Sequence, residues 1–356
     1  MVASSPCQAR RIPCKQSAIA APVTILIAAV AWLTPPACLA QRGNLAEKLK
    51  ELNVRLETDH YVLAGTVTDS RLELYGQALE YIHREYRKGF SEVLKSQEKE
   101  DHKSGKSKGR DRSRQSRRRS SRRAGRAADE EPRTMDQEDE QGRFPVIIFN
   151  NRQEYDAFGQ AFLGGAEHSI GMYIPSCKLL LIQDQGNFED TTEVLFHEAF
   201  HQFMHRYVKN PPVWLNEGLA VHYGYARATS GGLTFRQPPA IRWQLTRKLI
   251  QKGQALPLWD VVNASRWQFY SGLPVKVSRF ENVTMSSLYY SQAYTLVHTL
   301  LSDQSGRARL RNYLRDLADD DGTQTDRITR EYFGPEVCEH MTSFWIEHVN
   351  SRPETR

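Results

Sequence analysis

The sequence predicts an α+β fold in which a small mixed sheet packs on helices and a mainly helical C-terminal half carries a candidate metal site. Three observations predict it. Short apolar runs at 144–149, 172–174 and 179–182 have the length and composition of buried strands. Apolar residues stepping by three and four start after Asp69 and dominate beyond Asp190, as in helices that bury one face. One of those helical stretches contains His197-Glu198-Ala199-Phe200-His201.

The first forty residues stand apart. Arg10, Arg11 and Lys15 precede an uncharged, largely apolar run from Ala18 to Leu33, which ends in small residues before Gln41. This has the layout of an export signal over residues 1–40, with Cys38-Leu39-Ala40 as the cleavage site. The run is short of the roughly 20 apolar residues that span a bilayer. The expectation is an exported chain, secreted or held in the periplasm or cell envelope, with no transmembrane segment once the signal is removed. An uncleaved signal would instead leave a membrane anchor. Three of the five cysteines lie in this leader, so Cys177 and Cys338 remain, either as one disulfide or as two free thiols.

Residues 41–94 form the N-terminal part of the domain. Tyr61-Val62-Leu63 reads as a strand, and Asp69-Ser70 opens a helix with Leu72, Tyr75, Leu79, Ile82 and Tyr86 on its apolar face. Periodicity then stops. Residues 95–143 are rich in Lys, Arg, Ser and Gly and later in Asp and Glu, too polar to offset ordering entropy by burial, and read as a disordered insertion. The net charge of +6 is concentrated here: twelve Lys or Arg against Asp111 between Lys103 and Arg126 leave the remainder mildly acidic. Residues 103–126 could attract an anionic polymer or surface, or be a solvated linker paired with the acids between Asp129 and Glu140. Nucleic acid is disfavoured, since no aromatic residue is interleaved for base stacking.

Residues 144–350 form the main domain. The strand Phe144 to Phe149 leads through Asn150-Asn151, a turn or cap, into a helix holding Tyr155 and Phe158. Met172 to Ile174 and Leu179 to Ile182 are two strands joined at Pro175-Ser176. Asp190 with Glu193 has the spacing of a capping box, and Val194, Leu195, Phe203, Met204, Tyr207 and Val208 sustain a helix until Asn210-Pro211-Pro212.

His197 and His201 therefore share one helix face, with Cβ atoms about 5–6 Å apart, close enough for both imidazoles to bind one ion. Glu198 is turned away from the pair yet adjacent to the ion, as a general base should be. A third ligand should come from a neighbouring element. Trp214-Leu215-Asn216-Glu217-Gly218-Leu219-Ala220 supplies Glu217 after the proline break. His205, about 12 Å along the helix from His197, is too far to share that ion; it and His222 are expected beside the site or at the surface.

These residues, HEAFH followed by WLNEGLA, resemble the gluzincins, the zinc metallopeptidases with thermolysin-like and aminopeptidase-like members, and among them the small bacterial peptidase MA-like domains. The resemblance covers nearly all of the ordered mature chain. It implies a zincin-like fold, Zn²⁺ held by His197, His201 and Glu217, Glu198 as general base, and a peptide or protein substrate cleaved by zinc-activated water. It also implies a tyrosine on a later helix that stabilises the oxyanion. By register this is Tyr290, with Tyr294 one turn further on as the reserve. The chain departs from the pattern at two places. Val221 stands where thermolysin-like sites have an acid, and Gly165-Ala166-Glu167-His168 departs from the motif that binds a free amino terminus, so exopeptidase specificity is not implied. The competing expectation is a catalytically weak or inactive zincin-fold binding protein that acts through the polybasic arm.

Overall fold

A computed structural model describes residues 55–91, 142–163, 169–229, 232–235, 240–277 and 283–352. The export signal, nearly all of the 95–143 insertion and Gly165–His168 lie outside the described residues.

The described chain is mixed α/β and mostly helical. Its main sheet has the order β1-β2-β3-β5-β4, from Leu56–Glu57 (β1), Tyr61–Gly65 (β2), Phe144–Phe149 (β3), Gly171–Ile174 (β4) and Leu179–Gln183 (β5). β2, β3 and β5 run parallel, with β1 and β4 antiparallel at the edges. The continuous apolar runs are explained by burial on both faces, as parallel strands require. Leu63, Val146, Ile148, Leu180 and Ile182 face one core, which includes helices α1 (Asp69–Gly89) and α3 (Phe188–Tyr207). The alternate residues Val62, Ala64, Ile147, Phe149 and Leu181 meet Tyr155 and Phe158 of α2 (Arg152–Leu163) on the other face.

All five apolar residues expected on the α1 face are buried. The N-cap is Thr68, one residue ahead of the expected start, its side chain accepting from Arg71 N–H. The cap of α3 also lies earlier than expected. Asn187 takes that role, accepting from Glu189 N–H at 2.8 Å, and Asp190 and Glu193 fall inside the helix. The chain can turn there because Asp184, paired with Arg71 at 2.6 Å, also accepts the Gly186 N–H at 2.7 Å.

Helix α4 (Val213–Gly224) follows the Pro211-Pro212 break and is buried at every residue except His222. It lies between α3 and α8 (Met285–Ser302). Close approach to α8 depends on Gly218. A Cβ there would sit 2.7 Å from Val297 Cγ2 and 2.9 Å from the backbone oxygen of Ala293. The backbone oxygen cannot swing aside as a side chain would. Gly218→Val should therefore lower unfolding stability by about 1–3 kcal/mol, seen as a lower midpoint in thermal or urea denaturation. An unchanged midpoint would mean that the helices part at little cost.

The remaining helices are α5 (Ala240–Gln251), α6 (Leu258–Val262), α7 (Arg266–Phe269), α9 (Gln304–Asp319), α10 (Thr325–Phe333) and α11 (Pro335–Ser351). A short hairpin, β6 (Ala226–Thr229) with β7 (Gly232–Phe235), interrupts a region expected to be mostly helical. The C-terminal helix is tied down by polar contacts. Trp345 Nε1 donates to Thr295 at 3.1 Å, and Arg247 donates to the Val349 carbonyl at 3.1 Å, near the helix end. Cys177 and Cys338 are not joined by a disulfide, the second of the two arrangements the sequence left open. No helix among the described residues is long and apolar enough to cross a membrane.

Candidate metal centre

Three elements build the site. α3 carries His197, Glu198 and His201, α4 carries Glu217, and α8 carries Tyr290. Two tethers hold α3 in place. Tyr86 on α1 donates to the carbonyl of Phe196 at 2.6 Å, and the Gln202 amide donates to the carbonyls of Pro145 and Lys178 at 3.0 and 2.8 Å. The residues immediately beside the histidines are thereby fixed to the sheet and to α1.

His197, His201 and Glu217 are all buried, and their donor atoms converge. The two Nε2 atoms are 3.2 Å apart, and Glu217 Oε2 lies 3.5 Å from His197 Nε2 and 3.6 Å from His201 Nε2. Donors about 2.0–2.1 Å from one ion at tetrahedral angles lie roughly 3.3 Å from one another. The spacing fits such an ion, so these residues could hold a metal.

The electrostatics follow from packing opposite charges out of water. For His201, burial opposes the charged form, but Glu217 outweighs it and lifts the imidazole to about 9. For Glu217, burial alone would raise the carboxyl, whereas the two imidazoles hold it well below the usual carboxylate range. The buried side chain of Asn216, adjacent to Glu217, also favours the charged form of His201. An amide on α4 thus acts on this imidazole.

Glu198 is not one of the converging donors. Its Oε2 accepts the backbone N–H of Tyr173 on edge strand β4 at 3.1 Å. Burial raises its pKa, as does the charge of Glu217, against the opposing pull of His197 and His201. β4 comes this close because Gly171 has no side chain. A Cβ there would meet Val194 Cγ1 at 2.4 Å and Glu198 Cγ at 3.1 Å.

The two candidate tyrosines separate. Tyr290 is buried beside Glu217, and its pKa is pushed far up by burial and then by the charge of that carboxylate. Its ring is packed by Phe269, and the Arg242 guanidinium lies over it at 5.5 Å. Tyr294 instead has Trp243, Tyr225 and His298 as neighbours. His205 packs its ring edge against Tyr173 at 5.3 Å, and burial pushes its pKa down to about 3.

The sequence reading missed Tyr270. Its hydroxyl donates to Glu217 Oε1 at 2.5 Å. Ser265 and Gln268 form a capping box for α7, so a short helix just ahead of Tyr270 was readable. No spacing rule aims Tyr270 at α4. Compared with known proteins, the chain matches no family model and no curated protein.

Proposed function

We propose that this protein is an exported zinc-dependent metallopeptidase of the gluzincin type, cleaving a peptide or protein substrate. The observation that carries this reading is the convergence of His197 Nε2, His201 Nε2 and Glu217 Oε2 within 3.6 Å, with a buried carboxylate outside the donor set beside them. Two imidazoles and a carboxylate suit zinc, and three protein ligands leave a fourth position for chemistry. When bound, zinc would polarise the scissile carbonyl and bring the pKa of the attacking water to about 7.

The remaining steps belong to the chain. Glu198 has one oxygen held by Tyr173 N–H, which leaves Oε1 to take a proton from the attacking water and pass it to the leaving amine nitrogen. Burial raises its proton affinity and so makes it a stronger base. The Tyr290 hydroxyl, kept protonated by burial and by Glu217, is a donor for the carbonyl oxygen as negative charge builds there.

The test combines metal analysis of purified protein with digestion of a peptide library, with and without chelator. About one zinc per chain is expected, with cleavage lost on chelation and restored by zinc. Protein without metal affinity, or cleavage indifferent to chelator, would overturn the reading.

A further inference from the structure

We propose that Tyr270 is a positioning residue that keeps Glu217 a one-oxygen ligand by holding Oε1 away from the ion. The proposal rests on the metal-binding half of the preceding reading. The two oxygens of Glu217 have different surroundings: Oε2 faces both imidazoles, while Oε1 accepts the Tyr270 hydroxyl at 2.5 Å. A carboxylate free to rotate could present both oxygens to an ion and occupy the position the substrate needs. A donor fixed on one oxygen removes that option and orients the other.

Tyr270 is itself well placed to act as a fixed point. The preceding α7 is closed by the reciprocal Ser265–Gln268 hydrogen bonds. Phe269 is buried against Tyr289 and Tyr290. On the other side, Ser271 and Leu273 accept backbone hydrogen bonds at 2.9 Å from Ser286 and Met285 at the start of α8. Tyr270 therefore joins the segment between α7 and α8 to the ligand on α4 through one hydroxyl. Glu217 does not depend on its own helix alone for its orientation.

The experiment compares full-length wild type, Tyr270→Phe and Tyr294→Phe. Zinc affinity is measured by competition with a chromophoric chelator, and the visible spectrum is recorded after cobalt substitution. Tyr270→Phe keeps the ring and its packing, so it should fold, as near-ultraviolet circular dichroism of the metal-free protein will report. Its zinc affinity is expected to fall by about 10–100-fold, and its cobalt bands to weaken as Glu217 becomes a two-oxygen ligand. Tyr294→Phe, a buried tyrosine removed from the triad, should match wild type in both. A folded Tyr270→Phe protein with wild-type affinity and spectrum overturns the proposal and leaves the metallopeptidase reading intact. Wild-type protein that binds no zinc overturns both.

Discussion

Replacing Glu198 with Gln should leave zinc bound and lower peptide hydrolysis by about 10²–10⁴-fold. The retention of metal follows from geometry, because the three converging donors come from His197, His201 and Glu217. The variant should also fold. Gln is nearly the same size as Glu, and its amide oxygen can still accept the Tyr173 N–H that Glu198 Oε2 accepts at 3.1 Å. What is lost is a group that can carry a proton between water and the leaving amine. Metal content and kcat measured on the same preparation check both halves. A zinc-loaded variant with undiminished kcat would remove Glu198 from the mechanism, and loss of zinc would mean that it helps to hold the ion.

The second large effect is on stability in acid. Burial, and then the charge of His60, depresses His83 to about 3. Burial depresses His222 to about 4, and burial with the nearby Arg352 depresses His298 to about 3. An unfolded histidine binds its proton near pH 6.5, so below that pH the unfolded chain takes up protons that the folded chain refuses. The contribution of these histidines should be full above about pH 6.5 and fall steadily towards pH 4. At pH 5.5 each of the three, and His205 with them, costs about 1.4 kcal/mol, roughly 5–6 kcal/mol together, of which His201, raised to about 9 and stabilising when protonated, offsets about 1 kcal/mol; the balance is a large part of the 5–15 kcal/mol typical of a domain. The C-terminal helix shares this sensitivity. Arg352 donates to His298 Nε2 at 2.8 Å, so His298 must offer its Nδ1 proton to His348 Nε2, 3.0 Å away. A second proton on His298 would break that chain. Urea denaturation of metal-free protein at pH 7.0 and 5.5 measures the difference. Equal midpoints would show that these histidines titrate normally in the folded chain.

Much of the site's framework could be read from residue spacing. Residues four apart on a helix must share a face, so His197 and His201 were bound to meet once α3 was recognised, and the apolar residues around them made that helix plain. Glu217 was readable because the Pro211-Pro212 break forces a new helix within a few residues, and short connections make neighbours of consecutive helices. The strands of the main sheet showed as apolar runs because parallel strands are buried on both faces. Other features depend on contacts between distant segments. Nothing local distinguishes Asn187 from Asp190 as the cap of α3. That choice depends on Asp184, whose partner Arg71 is 113 positions away. Tyr270 meets Glu217 across 53 positions, and its role comes from the placement of α7 rather than from periodicity. The two residues of β1 are too few to show an alternation. That Cys177 and Cys338 are not bridged depends on tertiary placement, which a count of cysteines cannot supply.

The enclosure of α4 also constrains how such a chain can change over generations. A helix on which every residue but the half-buried His222 is fully enclosed has almost no neutral positions, because a substitution is felt by α3 or α8 and so by Glu217 between them. The segment 266–277 differs. Tyr270 points inwards to Glu217, yet Trp267 is 75% exposed and Leu273 is 65% exposed. Drift at those outward positions leaves the inward hydrogen bond to Glu217 intact. Enclosed and outward positions of the same fold can therefore evolve on separate clocks.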